Sequence, residues 1–396
     1  MKTVGIITEY NPFHNGHELL IRKARENGAT HVVIVMSGNF VQRGEPAIFT
    51  HGARTRAALE CGADLVIQLP VVYAVSGAQK FARAGVRILD SLGCIDEIVF
   101  GSECGDTELI VSTARAIYSP QVQSLIGGEM KKGVTFAVAR ENALRSVNEK
   151  FADVIKTPNN ILGVEYVAAL DEIGSEIKPY AVSRIGAGHG ESGGVGETAS
   201  ASYIRELIAN GGEWQKFVPS AAAEIFEDEI KNNKALVNYD KFETAVLFKL
   251  RTTNREELSL APDVSEGIEN RILSAASRAT CLEELYMIAK TKRYTHARIR
   301  RIVLNHLLGI TDGLLSVPVS YIRILGINGR GTELIRMIKG SAKLPLISKT
   351  ADISTVGEDA KKLFEAECRA TDVYSILTET NGSCGLERDY KVIILK

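Results

Sequence analysis

The chain opens on a regular alternation. Nearly continuous apolar runs at residues 3–7, 31–36, 63–69 and 97–100 are separated by stretches of helical spacing at 18–24, 52–60 and 78–92. Unbroken Val/Ile runs signal strands buried on both faces, and their alternation with amphipathic helices predicts an α/β fold with a parallel sheet. In such a sheet, ligands sit beyond the carboxyl ends of the strands, near the point where strand order reverses. Three polar segments fall at strand ends: 8–17 after the first run, 37–40 after the second and 101–103 after the fourth. They should converge on one rim.

Helical spacing returns at 112–145 and again from residue 158, and a further strand is expected at 177–184. Pro158 suits a first helical turn, and Asn159 and Asn160 can cap its free N–H groups. The glycine-rich segment 185–197 is expected to be mobile and to close over a ligand. Beyond residue 215 the alternation stops, and 221–230, 242–251, 268–276 and 282–289 read as helices joined by short polar turns. The pattern divides the chain into an α/β domain at 1–215, a helical domain at 216–310 and a small C-terminal α/β unit at 311–396.

Composition narrows the class. Hydrophobic residues make up 45% and charged residues 24%, as in ordinary soluble proteins. No apolar run approaches the ~20 residues of a membrane span, and no signal peptide is apparent, so no membrane partner is expected. The six cysteines form no CxxC pair, so neither a zinc site nor a disulfide framework is expected, and a reducing, cytoplasmic setting is. With a net charge of −1, a nucleic-acid partner would need a local patch. Residues 290–301 supply a candidate: Lys290, Lys292, Arg293, Arg298, Arg300 and Arg301, with Tyr294 and His296 and no acid. An unmixed run of this kind suits an RNA or DNA backbone. The alternative is a basic face complementing acidic neighbours.

Candidate chemistry concentrates in residues 8–17, where His14 and His17 stand at the junction of a strand and a helix start. The free N–H groups and positive dipole end of a helix N-terminus suit a phosphate. Gly16 lets backbone approach a ligand, and the imidazoles can donate to charge building on phosphorus. The loop 37–49 carries one cation, Arg43, and reads equally as a pocket wall and as a surface loop with a solvated arginine.

The run Tyr10-Asn11-Pro12-Phe13-His14-Asn15-Gly16-His17 resembles the HxGH signature of the nucleotidyltransferases, with Thr8 for the first glycine and Asn11 for the aspartate. Ser200, Ser202 and Arg205 resemble the superfamily's second signature, which contacts phosphates, although Ala199 and Ala201 depart from it. Residues 8–17, 37–46, 158–163, 184–188, 294–299 and 323–326 together are similar to the bacterial tRNA(Met) cytidine acetate ligases, over essentially the whole chain.

The resemblance implies a Rossmann-like HxGH nucleotidyltransferase domain followed by a mostly helical RNA-binding region. It implies activation of acetate by ATP, with Mg2+, to acetyl-adenylate, then acetylation of the wobble cytidine of elongator tRNA(Met). ATP contacts are implied at Ile7, Thr8, Glu9, Tyr10, Asn11, Pro12, Phe13, His14, Asn15, Gly16, His17, Glu18, Leu19, Leu20, Gly101, Asn159, Arg184 and Ile185. His14 and His17 would be catalytic. The residues alone do not select Asn159 over Asn160, and they leave open a cofactor-forming adenylyltransferase or a nucleotide-sensing RNA-binding protein without turnover.

Overall fold

A computed structural model describes residues 1–184, 196–232 and 236–396. The strands are β1 (Thr3–Thr8), β2 (His31–Ser37), β3 (Phe40–Val41), β4 (Glu45–Pro46), β5 (Leu65–Leu69), β6 (Glu97–Ser102), β7 (Lys178–Ser183), β8 (Ile322–Ile327), β9 (Leu346–Ile347) and β10 (Ile393–Ile394). The main sheet runs β10-β8-β5-β2-β1-β6-β7, with β9 on the far part of β8. β1, β2, β5, β6 and β7 are mutually parallel, as the Val/Ile runs predict. Strand order steps outward from β1 through β2 to β5 on one side and through β6 to β7 on the other. The crevice between β1 and β6 is therefore the switch point of the sheet.

Helices cover both faces. Ala78–Ser91 buries Phe81, Val86, Ile88 and Leu89 on one side; His51–Glu60 buries Ala53, Ala57, Ala58 and Leu59 on the other. The helical pattern at 112–145 is realised as three helices, Thr107–Ile117, Pro120–Lys131 and Phe136–Val147. Ser119 caps the second, with Pro120 in its first turn, and Gly133 adopts φ +83 before the Thr135 cap of the third. Each feature stops the preceding helix for a backbone reason. Among the described residues, no helix is long and apolar enough to cross a membrane.

The C-terminal part returns to the sheet. β8 pairs antiparallel with β5, and β10 pairs with β8, so residues 311–396 extend the N-terminal sheet instead of standing as a unit of their own. Ser220–Lys231, expected within the helical domain, also packs on the α/β layers, where Phe226 stacks on Phe49 at 4.4 Å. The join is polar as well as apolar. Arg323 on β8 is 2% exposed and ion-pairs with the fully buried Glu387; it also donates to Gln68 Oε1 on β5 at 2.7 Å. Phe364 and Tyr390 face the same guanidinium.

Truncating one partner of a buried ion pair leaves the other charge uncompensated. Glu387→Ala is expected to lower unfolding free energy by about 3–5 kcal/mol in equilibrium denaturation. A cost below about 1 kcal/mol would mean that the pair does not anchor the C-terminal segment.

Candidate active site

Beyond Thr8, β1 turns sharply through Tyr10, a non-glycine residue at φ +49, and enters the helix Asn15–Glu26. Tyr10 is buried and packs its ring edge-on to Phe13 and His17, each at 4.7 Å, which holds an otherwise costly backbone conformation. Asn11 Oδ1 accepts from Ile48 N–H at 2.8 Å, so its role in this structure is to lock the turn to the neighbouring loop.

His14 and His17 close a reciprocal cap. His14 Nδ1 accepts the N–H of Gly16 at 3.1 Å, and His17 Nδ1 accepts the N–H of His14 at 3.2 Å. A neutral imidazole whose Nδ1 accepts must carry its proton on Nε2. Both rings therefore present Nε2–H donors, and they stack at 3.7 Å. Burial, with Arg184 and Arg205 nearby, lowers the His14 pKa to about 3; burial, His14 and Arg184 hold His17 well below the usual range. Gly16 is required at close quarters: a Cβ there would lie 2.9 Å from His14 Cε1.

The two histidines line a pair of contiguous cavities at the switch point. One is walled by Ile6–Thr8 of β1, Leu19 and Leu20, Phe100 and Gly101 of β6, Asn159, and Val182–Arg184 at the end of β7. The other adds Glu9, Gln42, Arg43, Ser200, Ser202 and Arg205. Two of the three strand-end segments expected to converge, 8–17 and 101–103, thus meet with the end of β7. The loop after β2 reaches the second cavity through Gln42 and Arg43. Arg43 Nη1 lies 3.3 Å from Ser202 Oγ, so the pocket-wall reading of this arginine holds. Among the ATP positions implied by resemblance, Ile185 lies outside the described residues, as does most of the glycine-rich segment. Pro12, Phe13, Asn15 and Glu18 are not on either wall. Phe13 is wholly buried and Asn15 donates to the carbonyls of Glu197 and Lys216.

The structure separates the two adjacent asparagines. Asn160 is buried, and its Oδ1 accepts from Ser102 Oγ at 2.6 Å and from Glu103 N–H at 2.9 Å. Asn159 faces the cavity; its Nδ2 donates to Glu103 Oε1 at 2.6 Å and its Oδ1 accepts from Arg184 at 3.3 Å. Glu103 also receives the backbone N–H groups of both residues at the helix start. Burial raises its pKa, but these donors outweigh it and the carboxyl sits below its ordinary value. The signal for Glu103 was its place in a strand-end segment.

Arg205 points to the second cavity, yet it donates to Asn11 O at 2.8 Å and to Glu45 Oε1 at 2.9 Å. Ser200 is the N-cap of Ala201–Ala209, accepting from Tyr203 N–H. The basic segment also divides. Lys290, Lys292 and Arg293 precede the helix His296–Leu307 and are exposed, as is Arg300 within it. Arg298 donates to Asp263 O and Ser265 Oγ, and Arg301 pairs with Asp263 at 3.4 Å. The Asp263 carboxylate satisfies the complementing-neighbour reading for Arg301, whereas Arg298 is held by a backbone carbonyl and a hydroxyl of the same turn. The helix itself seats against the β3–β4 hairpin: Gly44, at φ +80, leaves room for Arg300, whose carbonyl carbon would lie 2.7 Å from a Cβ there.

Both histidine pKa values lie below the ordinary ~6.5 of an unfolded chain. Each imidazole then binds its proton more readily when unfolded, so stability falls as pH drops below about 6.5. Nitrogen NMR is expected to show both as Nε2–H tautomers, without titration, between pH 8 and about 5. Titration of either ring near 6.5 would contradict the cap geometry.

The HIGH Nucleotidyl Transferase family model matches residues 1–388. A tRNA(Met) cytidine acetate ligase of Thermoanaerobacter sp. (strain X514) is 39% identical, with the whole of both chains covered. The ligase of that name from Caldanaerobacter subterraneus subsp. tengcongensis is 41% identical over 95% of each chain. Two crystal structures of Thermotoga maritima TmcAL superpose over the whole of both chains: an apo form, with TM-score 0.95 and 31% identity, and one bound with alpha-thio ATP, with TM-score 0.92 and 32% identity. The likeness runs the full length of these relatives in sequence and in fold, and the chain belongs to the HIGH nucleotidyl transferases and, within them, to the tRNA(Met) cytidine acetate ligase family.

Proposed function

We propose that the chain is an ATP-dependent ligase that activates acetate as acetyl-adenylate and acetylates the exocyclic amine of the wobble cytidine of elongator tRNA(Met). The observation that carries the first step is the pair of neutral Nε2–H imidazoles at a helix N-terminus, facing a cavity flanked by Arg184. Fixed donors of this kind stabilise charge that shifts on phosphorus without reorganising during the reaction. The acetate carboxylate attacks the α-phosphorus of ATP while pyrophosphate departs in line. Carboxylates are already ionised at pH 7, so this step needs alignment and charge compensation, not a general base. His14 and His17 donate to the α-phosphate, and Asn159 orients Arg184 toward the nucleotide.

Ser200, Ser202, Arg43 and Arg205 form the polar wall that would receive the leaving pyrophosphate. Arg205 meets it once phosphate oxygens replace Glu45 as its partner. Magnesium enters as part of the nucleotide substrate. Among the described residues no group of three His, Cys, Asp or Glu side chains could hold a resident ion. An RNA acceptor is supported by the exposed Lys290, Lys292, Arg293 and Arg300, carried on a segment that abuts the hairpin whose Gln42 and Arg43 line the second cavity.

Pyrophosphate release from ATP is expected to depend on acetate, and His14→Ala to slow it by about 10²–10³-fold, with a far smaller change in ATP affinity. Release that is independent of acetate, or an undiminished rate in the variant, would contradict the reading. Replacing Lys292 and Arg293 together with alanine is expected to raise the KM for tRNA and to flatten its salt dependence, leaving acetate-dependent pyrophosphate release intact. Unaltered tRNA kinetics would remove this segment from the RNA surface.

A further inference from the structure

The two cavities are built for anions. Arg43, Arg184, Arg205 and two imidazole donors line them, and both proposed substrates of the first step are anionic. Among the described residues on their walls, Glu9 is the single carboxylate. A carboxylate repels both acetate and polyphosphate, so the binding of these anionic groups does not account for it. Burial pushes its pKa above the ordinary value, against the Gln42 N–H bond and the charge of Arg43; Glu45 raises it further and Arg205 lowers it.

Its geometry is defined. Glu9 Oε1 accepts Gln42 N–H at 2.7 Å, tying the strand end to the β3–β4 hairpin, and Arg54 Nη1 holds the Glu9 carbonyl. Oε2 has no hydrogen-bond partner among the described residues. The titratable groups around it come from every adjoining element: Arg43 and Glu45 on the hairpin, Arg205 on Ala201–Ala209, Arg54 on His51–Glu60, Tyr166 on Pro158–Ile173, and His14 and His17 at the start of Asn15–Glu26. None of them donates to Oε2. What the second step brings into this cavity is a donor: the exocyclic amine of cytosine, which carboxylates recognise.

We infer that Glu9 is the catalytic acceptor for the second step: its free oxygen binds the cytidine amine and takes a proton from it as the acetyl group is transferred. This rests on the ligase reading above. The amine nitrogen attacks the acetyl carbonyl carbon, the carbon–nitrogen bond forms, and the carbon–oxygen bond to AMP breaks. AMP leaves with that electron pair, and one amine proton passes to Glu9 and then to solvent. No oxidant or further reactant is required.

The test uses the full chain with tRNA, labelled acetate and MgATP. Acetate-dependent pyrophosphate release is measured without tRNA, and single-turnover acetyl transfer is measured after tRNA is added, across a pH series. Glu9→Gln keeps an oxygen for the Gln42 N–H and removes the base. Its transfer rate is expected to fall about 10²-fold, at least tenfold more than its pyrophosphate release. Transfer by the unaltered chain is expected to rise with pH as Glu9 ionises, and to lose that dependence in Glu9→Gln. The pH profile of the unaltered chain carries the test if the variant fails to fold. Equal losses in both steps with a raised Mg2+ requirement would assign Glu9 to the metal and overturn the inference, as would undiminished transfer. Absence of acetate-dependent release in the unaltered chain would overturn the ligase reading itself, and Glu9's role with it.

Discussion

The site depends on one local interaction, the reciprocal cap in which backbone N–H groups of Gly16 and His14 hold the Nδ1 atoms of His14 and His17. Capping alone would be satisfied by serine or aspartate at lower cost. Imidazoles add a second consequence, because an accepted bond at Nδ1 commits the proton to Nε2 on the opposite edge of the ring. Burial then keeps the rings neutral, so they act as donors without carrying a charge that the cavity's arginines would oppose. The spacing and the glycine follow from the same geometry, since ring and backbone must approach more closely than a Cβ allows.

Around that cap the loops are tied by an unusual cation. Arg54 is fully buried, and its guanidinium donates to the carbonyls of Phe49, Glu9, Ser37 and Gly38. Burial lowers its pKa to about 10, which still leaves it charged at neutral pH. One side chain thus joins the ends of β1 and β2. The hairpin that follows carries the connection outward: Gln42 to Glu9, Arg43 to Ser202, Glu45 to Arg205, and Gly44 to the helix bearing Arg300. The cavity lined by the two histidines and the basic segment are therefore linked through seven residues of one hairpin.

Much of this was legible before the structure. The buried parallel strands announced themselves as Val/Ile runs, and the helices Ile268–Ala276 and Leu282–Ala289 have the bounds that spacing predicts. β8 did not, because Ile322–Ile327 joins the sheet only through a partner more than 250 residues earlier in the chain, and local pattern carries no pairing information. The placement of His14 and His17 at a strand-to-helix junction was readable because spacing and backbone context coincide there. The distinction between Asn159 and Asn160 was not, since it is made by Glu103 and Ser102 from another strand end. The commitments of Arg205 to Glu45, and of Arg298 and Arg301 to the turn at Asp263, likewise depend on tertiary neighbours.

The central claim is that the histidine cap serves attack on the α-phosphorus by a carboxylate. Turnover with acetate labelled in both oxygens by a heavy isotope, followed by mass analysis of the nucleotide product, tests it most directly. Attack by acetate on the α-phosphorus leaves one of its oxygens on AMP when the acetyl group moves on. The account predicts AMP carrying a single labelled oxygen and unlabelled pyrophosphate. Unlabelled AMP, with label in pyrophosphate or phosphate instead, would contradict it.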